Sequence, residues 1–276
     1  MKQYLDLMKK VLEEGTWQEN RTGIRTKMIP GAMLQFDMSK GFPAITTKKL
    51  AFKSGVGELL GFLRGYTNAE DFERLGCKFW RANADETPGW VNNPNRKGPG
   101  DLGRIYSSQW TNWCGQLNQV EKLISDIKQD PTSRRLLVTA WNPLDLSFQA
   151  LPSCHISLGV NINQSSQTMN LWWMQRSCDL FLGIPVNILS YATLLNLLTK
   201  ITGYTPGILI GHLTDVHIYE NHLDQIQEQL SRQPFDLPQL RLIGIDSTTK
   251  LEKIEPEQIE LVGYECHPAI KAPMAV

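Results

Sequence analysis

The segment from residue 156 to residue 202 sets the strongest limit on how this chain can fold. Residues 156–162 and 169–174 are short apolar runs joined by a polar turn at 164–167, and they predict two neighbouring strands. Residues 188–202 have helical spacing and are apolar on most faces, which predicts a helix at the centre of the core. We therefore expect a sheet and a buried helix to share one hydrophobic core.

The remaining segments alternate irregularly between helical and extended patterns. They predict helices at 2–14, 54–64 and 117–129, strands at 26–38 and 136–141, and a loop or small insertion at 87–103. Gly15 ends the first helix, and Pro30-Gly31 predicts a turn inside the first strand. Because no repeat or linker divides the chain, we expect a single α+β domain over residues 1–276.

The bulk composition argues for a chain without a general attraction to polyanions. Its 276 residues contain 28 basic and 28 acidic side chains, so nucleic acid and membrane surfaces are not expected partners. Five cysteines, an odd number without regular spacing, favour a reducing compartment over a disulfide framework. The N-terminus has no apolar stretch of the signal-peptide kind. We expect a soluble, cytoplasmic protein.

A candidate nucleophile, Cys154, lies between a proline-containing turn and an apolar run. About twenty residues later, the stretch 175–179 combines an amide, a guanidinium, a hydroxyl and a carboxylate. A thiol attacks as thiolate, and a fixed cation such as Arg176 lowers its pKa, so this pairing predicts nucleophilic catalysis. The alternative is that Cys154 is a buried, unreactive cysteine, which is how we interpret Cys178.

These segments, with several others, resemble the thymidylate synthase family over nearly the whole chain. The shared motifs include Asn20-Arg21-Thr22-Gly23, Gly57-Glu58-Leu59-Leu60, Asp130-Pro131-Thr132-Ser133-Arg134-Arg135, Gln175-Arg176-Ser177-Cys178-Asp179, Asp215-Val216-His217-Ile218-Tyr219 and the His267–Pro273 run. They occur in the family's order. The resemblance implies a mixed sheet with helices on one face, the other face forming a homodimer interface.

The resemblance also implies a reaction. Cys154 would add to C6 of deoxyuridylate (dUMP), and the activated C5 would take a one-carbon unit from 5,10-methylenetetrahydrofolate, a co-substrate, without a metal. The products would be thymidylate and dihydrofolate. Glu58 would be the general acid/base, Tyr106 would help remove the C5 proton, His155 would be a supporting base, and Asp179 would contact the pterin.

The nucleotide site follows from the same resemblance. Arg21, Arg176 and Ser177 would bind the phosphate, together with Arg134 and Arg135 from the second subunit, because guanidinium groups match a phosphate dianion. The alternative for the Arg134-Arg135 pair is a solvated surface.

The base and the sugar would be read by side chains further along. Asn187 would face the uracil, since a side-chain amide can donate to O4 and accept from N3–H. Gln175 is a further expected substrate-binding residue. Asn187 could instead, or also, be a helix N-cap. His217 and Tyr219 would contact the sugar 3′-hydroxyl, and their spacing puts both on one face of a strand.

The folate site would be formed by Trp80, Asn83, Asp179, Gly183 and the C-terminal Val276, with residues 267–276 closing over it. Here the sequence departs from the family. Asn83 and Gly61 stand where the family usually has tryptophans, and Val186, Ser153 and Thr214 are also unusual. We expect an aromatic wall that has become smaller and more polar.

Two alternative functions follow from these departures and from the chain's class. Water admitted near Asn83 could trap the methylene intermediate, giving a dUMP hydroxymethyltransferase. The chain could also be an inactive nucleotide- or RNA-binding regulator. A metal enzyme finds little support, because no C-x-x-C or H-E-x-x-H spacing occurs.

Overall fold

A computed structural model describes residues 1–273. Its α-helices are α1 (Lys2–Glu14), α2 (Phe52–Leu63), α3 (Ala69–Arg74), α4 (Arg81–Asp85), α5 (Pro88–Val91), α6 (Tyr106–Thr111), α7 (Gln119–Gln129), α8 (Gly183–Thr202) and α9 (Leu223–Ser231). Its strands are β1 (Thr16–Gln18), β2 (Thr26–Asp37), β3 (Leu137–Thr139), β4 (His155–Asn163), β5 (Thr168–Gln175), β6 (Cys178–Asp179), β7 (Thr205–Tyr219), β8 (Gln239–Leu242) and β9 (Ile259–Val262). Short 3₁₀ turns occur at Met38–Lys40, Pro143–Phe148, Glu220–His222, Leu251–Lys253 and Pro256–Gln258.

A seven-stranded sheet forms the centre of the molecule. Six strands are ordered β1-β2-β7-β5-β4-β3, and β6 pairs with β7 beside them. The β5–β7 and β6–β7 pairs are parallel, while the other pairs are antiparallel. Strands β8 and β9 make a separate antiparallel pair. The expected single α+β domain with a mixed sheet is therefore confirmed.

Helices cover one face of this sheet, with α8 lying across β5 and β7, and α1 across β2 and β7. The indole of Trp173 in β5 stacks on the ring of Tyr191 in α8, with 5.1 Å between centroids and 11° between planes. Helix α8 is long and apolar enough to cross a membrane, but 83% of its apolar window is buried inside the fold. It is the central core helix that the pattern at 188–202 predicts.

The opposite face of the sheet carries apolar side chains that the described chain leaves accessible. Met33, His212 and Met174 lie side by side in register on β2, β7 and β5, and all three are exposed. Leu137 on the edge strand β3 is 46% exposed. Exposed large apolar side chains grouped on one face in this way, here around the polar His212, mark interaction sites in soluble proteins.

Two local expectations are wrong. The turn at Pro30-Gly31 does not form, because β2 runs through it; the ladder with β7 skips only the exposed Pro30, which has no N–H to donate. Helix α8 begins at Gly183 rather than near residue 188. Pro185 stands in its first turn, where the missing N–H has no helical partner to lose.

Residues 87–103 are more structured than a loop. They contain α5, and the buried Trp90 donates its indole N–H to the carbonyl of Asp101 at 2.6 Å. Arg96 makes a 2.6 Å ion pair with Asp85 of α4. The Trp90 bond closes the segment on itself, and the Arg96 ion pair attaches it to α4. Strand β3 is also shorter than residues 136–141, as an edge strand can be.

The close contact between the sheet and its own tryptophans predicts a stability effect. A Cβ at Gly211 in β7 would lie 2.5 Å from ring carbons of the fully buried Trp173. We expect Gly211→Ala to lower the free energy of unfolding by about 1–3 kcal/mol, measured by urea denaturation. Gly89→Ala is the matched control, since its Cβ would meet nothing within 4 Å. Equal stability of both variants would contradict the packing described here.

Candidate active site

The candidate site lies at one edge of the sheet, where β4 begins and β5 and β7 end. Cys154 directly precedes β4, and Arg176 directly follows β5. The Arg176 N–H donates to the Cys154 carbonyl at 2.8 Å, which extends the β4–β5 pairing by one rung. The thiol and the guanidinium predicted to act together therefore come from adjacent strand ends.

Backbone oxygens hold the Arg176 side chain beside the thiol. Its Nε donates to the Ser153 carbonyl at 2.9 Å and its Nη2 to the Pro152 carbonyl at 3.0 Å. The guanidinium also lies over the Trp141 ring, 5.2 Å from the centroid. Since these partners are neutral, they do not cancel the positive charge. Trp141 is a site residue that sequence reasoning missed, because nothing in its local pattern indicates a guanidinium neighbour.

The half-buried Cys154 thiol is less acidic in the free protein than the sequence suggested. Burial raises its pKa above the ordinary value, while the Arg176 guanidinium, the Tyr106 hydroxyl and the Arg21 charge lower it. Arg176 thus acts on the thiol in the expected direction, but burial outweighs the cations in the free chain and the thiol pKa is raised overall. The neighbouring Cys178 is fully buried, and burial raises its pKa as well.

Tyr106, the first residue of α6, touches the nucleophile directly. The Cys154 N–H donates to the Tyr106 hydroxyl at 2.5 Å, and the phenol ring stacks on the His155 imidazole at 4.2 Å. His155 is also hydrogen bonded through Nδ1 to the Tyr191 hydroxyl at 2.8 Å. Burial lowers the pKa of His155 to about 3, so this imidazole stays neutral at physiological pH. Sequence reasoning missed Tyr191, because a position inside an apolar helix is typical of a residue that only packs in the core.

Glu58 is buried in the middle of α2, although its apolar flanks in the sequence left open whether it would be buried or exposed. Burial raises the pKa of its carboxyl group to about 7, and a 3.0 Å hydrogen bond from the Trp80 indole N–H opposes that rise. A carboxyl group with this pKa can both donate and accept protons near neutral pH. The structure also places Trp80 and Glu58 together, although 22 residues separate them in the sequence.

Buried hydrogen bonds fix the side chain of Asn187. Gln175 donates through Nε2 to the Asn187 Oδ1 at 3.0 Å and to the Ser177 carbonyl at 2.9 Å. The Trp173 indole N–H donates to the Gln175 Oε1 at 3.1 Å. Gln175 therefore orients Asn187, and no hydrogen bond of the Asn187 side-chain N–H groups occurs within the described residues. Asn187 lies inside α8 and not before it, so the N-cap alternative is wrong.

The end of β7 supplies a histidine with a carboxylate partner. The His217 Nδ1–H donates to the Asp215 carboxylate at 2.9 Å. Burial works to lower the pKa of His217, but this hydrogen bond and the charges of Asp179 and Asp215 raise it above the ordinary value. The rings of His217 and Tyr219 meet edge to face at 5.3 Å, so the two predicted sugar contacts are adjacent.

Asp179 ends β6, and Gly183 is the first residue of α8. The Asp179 carboxylate accepts the N–H groups of Phe181 and Leu182, and a Cβ at Gly183 would be 3.6 Å from that side chain. Sequence reasoning assigned no role to Lys48, which donates to the Phe181 carbonyl at 2.6 Å. Burial lowers the pKa of Lys48 to about 7.

Several predicted residues do not join this cluster within one chain. Arg134 and Arg135 are exposed at the start of β3, and no side-chain hydrogen bond or ion pair of either occurs within residues 1–273. Arg21 is also exposed, but its charge acts on both Cys154 and Tyr219. Val276 lies outside the described residues.

The aromatic wall is not reduced at Gly61, which corrects one expectation. A Cβ at this position would lie 2.3 Å from the Phe72 ring, so a phenylalanine occupies the space beside the glycine. Phe62, Phe72, Trp80 and Tyr106 form a contiguous ring cluster. Asn83, in α4, is half-buried, and no hydrogen bond of its side chain occurs in the described part of the chain.

The described part of the C-terminal segment is attached near the site. The Arg232 guanidinium donates to the Pro268 carbonyl at 2.7 Å, and the His222 Nε2–H donates to the Pro273 carbonyl at 2.7 Å. The buried His222 ring also packs against Phe181. In residues 1–273, no group of three or more His, Cys, Asp or Glu side chains is placed to hold a metal ion.

Comparison with known proteins agrees with this geometry. Residues 2–276 match the sequence profile of a family described as thymidylate synthase. The chain is 44% identical to a thymidylate synthase from Pseudomonas putida, 42% to one from Pseudomonas syringae and 40% to one from Bordetella parapertussis. Each alignment covers the whole of both proteins. Each alignment spans 323 positions, more than the 276 residues of this chain, so some alignment positions are gaps in this chain.

The fold and the relatives define an enzyme, and its candidate site pairs a thiol with a guanidinium held by neutral groups. The chain belongs to the thymidylate synthase family.

The contact between Tyr106 and Cys154 predicts a change in thiol reactivity. Because the phenol lowers the pKa of the thiol, Tyr106→Phe should raise it and slow iodoacetamide alkylation of Cys154 at pH 8. We expect a several-fold slower reaction, followed by mass spectrometry of the Cys154 peptide. Tyr66→Phe removes a hydroxyl whose described contacts do not include Cys154, and it should leave the rate unchanged. An unchanged rate in Tyr106→Phe would contradict the assignment.

Proposed function

We propose that this protein methylates dUMP to thymidylate, taking the one-carbon unit and the hydride from 5,10-methylenetetrahydrofolate and releasing dihydrofolate. The observation that carries the proposal is the half-buried Cys154, flanked by a guanidinium that only neutral groups hold and by the Tyr106 hydroxyl. Membership of the thymidylate synthase family supports the same reaction. No metal takes part in it.

In the proposed reaction, the Cys154 thiolate adds to C6 of the uracil ring. Since burial keeps the thiol protonated in the free protein, its proton must leave as the nucleotide binds. The Arg176 charge stabilises the resulting thiolate, and together with Arg21 and Ser177 this guanidinium binds the phosphate. Asn187 presents N–H groups that suit O4 of the base, and His217 with Tyr219 contacts the sugar.

Proton transfer at the base is assigned to Glu58, whose pKa near 7 suits both directions of transfer. Tyr106 helps to remove the C5 proton, after which the bound methylene group accepts hydride from the folate. His155 is neutral, so it supports the site by hydrogen bonding. Trp80, Asn83, Asp179 and Gly183 form the folate side, with Val276 and the C-terminal segment closing over it.

The two alternative functions lose their main support. Phe72 fills the space beside Gly61, which removes one of the two openings to water that favoured a hydroxymethyltransferase. The relatives reported above are named thymidylate synthases. An inactive regulator has no need of an aligned thiol, guanidinium and buried carboxyl group.

The active form is proposed to be a homodimer. The open face of the sheet exposes Met33, Met174 and Leu137, which a second copy of the chain would cover. Arg134 and Arg135 are exposed and would then reach the partner's phosphate site. Five free cysteines and a balanced charge favour a cytoplasmic location.

Product analysis tests the proposed reaction. Incubation with dUMP and 5,10-methylenetetrahydrofolate should yield thymidylate and dihydrofolate in equal amounts, followed by chromatography and by dihydrofolate absorbance. Cys154→Ser should reduce the rate at least about 1,000-fold, since the nucleophile is lost. With 5-fluoro-dUMP and the folate, mass spectrometry should find a covalent adduct on Cys154. Tetrahydrofolate with 5-hydroxymethyl-dUMP as products would establish the hydroxymethyltransferase instead.

Mixing two inactive variants tests the shared site. Cys154→Ser lacks the nucleophile, and Arg134→Ala/Arg135→Ala lacks the arginines proposed to cross the interface. In a mixed dimer one of the two sites regains both, so refolding the variants together should restore about a quarter of wild-type activity. No recovery, with mixed dimers shown by native mass spectrometry, would place the arginines in their own subunit's site or outside any site.

A further inference from the structure

Two glycines in α2 bring a neighbouring chain segment into close contact with the helix that carries Glu58. A Cβ at Gly57 would lie 2.3 Å from the Leu75 carbonyl oxygen, and a Cβ at Gly61 would lie 2.3 Å from the Phe72 ring. Glycines are unfavourable inside helices, so their presence one turn apart calls for a packing reason. That reason is the close approach of residues 72–75 to one side of α2.

Phe72 fills the space over Gly61 and reaches towards Trp80. It is fully buried, and its ring lies 6.1 Å from the Trp80 ring and 5.7 Å from the Phe62 ring. Phe62 in turn meets Trp80 at 5.9 Å. The Tyr106 ring contacts Trp80 as well, at 6.0 Å. Of the three rings that hold the indole, Phe72 is the one that occupies the space a side chain at position 61 would fill.

The nitrogen edge of the Trp80 indole meets the carboxyl group of Glu58, to which the proposed function gives the proton transfer. Its indole N–H donates to the Glu58 Oε1 at 3.0 Å, and both residues are buried. The only described side-chain hydrogen bond of Glu58 is this one. Any displacement of the indole therefore acts first on the protonation of that carboxyl group.

We propose that Phe72, seated over Gly61, is a positioning residue that sets the place of the Trp80 indole and so the proton affinity of Glu58. The proposal rests on the proposed function only in giving Glu58 a role in proton transfer. The positioning itself can be measured in the protein without substrate. Gly61 and Phe72 thus act as one unit in place of the tryptophan that the family usually has at position 61.

The direction of the effect follows from the surroundings of Glu58. The titratable side chains whose charges interact with it are Cys77, Tyr106 and Tyr191, and all three have a pKa raised by burial, so they remain uncharged near neutral pH. A cavity left by a smaller side chain at 72 would be lined by apolar rings and would stay dry. Weakening the bond from Trp80 then removes the one group that lowers the pKa of Glu58, which therefore rises.

Infrared titration of the free protein tests this inference. The protonated Glu58 carboxyl band is identified by difference against Glu58→Gln and followed with pH in Phe72→Leu. We expect its midpoint to rise by about 0.5–1 unit, the size that follows from losing one buried hydrogen bond. The corresponding limb of the kcat/KM profile, which reports groups of the free enzyme, should move upward equally, with KM for dUMP changed less than about twofold.

Three further variants separate positioning from general loosening. Phe36→Leu removes the same atoms from another buried phenylalanine, outside all the described ring pairs, and should leave the midpoint unchanged. Trp80→Phe should raise the midpoint, and adding Phe72→Leu to it should raise it no further, since both act through one hydrogen bond. Gly61→Ala combined with Phe72→Leu should return the midpoint towards the wild-type value.

An unchanged midpoint in Phe72→Leu, or an equal rise in Phe36→Leu, would overturn the inference. Additive effects of Phe72→Leu and Trp80→Phe would overturn it as well. If Phe72→Leu does not fold, Phe72→Met gives the same comparison with a smaller loss of volume. Failure of the dUMP reaction would leave these titrations unaffected, so the two proposals can fail separately.

Discussion

The site depends on one backbone hydrogen bond, from the Arg176 N–H to the Cys154 carbonyl, which ends the pairing of β4 with β5. This bond places the two residues opposite each other, so that the arginine side chain meets the carbonyls of Pro152 and Ser153 directly. Because carbonyl oxygens hold the guanidinium without neutralising it, the charge remains available to the thiol and to a phosphate. Within residues 1–273 no carboxylate forms an ion pair with Arg176. The register of β4 and β5 thus determines where the positive charge of Arg176 lies relative to the thiol.

Much of the fold could be predicted from local patterns, because the core helix and the central strands are strongly periodic. The spacing of apolar residues correctly predicts α1, α2, α8, β4 and β5. Predictions fail where proline chemistry depends on context. Pro30 interrupts a ladder without ending the strand, and Pro185 lies inside the first turn of α8. In both cases the answer depends on whether an N–H would have had a partner, which the sequence does not state.

The candidate site, like the fold, could be predicted only in part from the sequence. Cys154, Arg176 and Glu58 could be singled out, because motifs mark them. The ionisation of the thiol could not be predicted, since it is a balance between burial and nearby cations that only the packed structure defines. The sequence also could not show that Phe72 fills the space beside Gly61, because the two residues are eleven positions apart and meet only in the folded chain. A residue that departs from a family pattern can therefore be interpreted only together with the residue that contacts it in the folded structure.

The buried amide of Gln175 has a consequence for the choice of base. The Trp173 indole can only donate and the Ser177 carbonyl can only accept, so the Gln175 amide cannot be reversed without breaking both bonds. The side-chain amide of Asn187 is held in one orientation as a result, and in the proposed site its N–H groups would oppose the amino group of a cytosine. In the proposed site, discrimination between the two pyrimidines therefore depends on the fully buried Trp173 indole, and a new base preference would require changes behind the pocket wall.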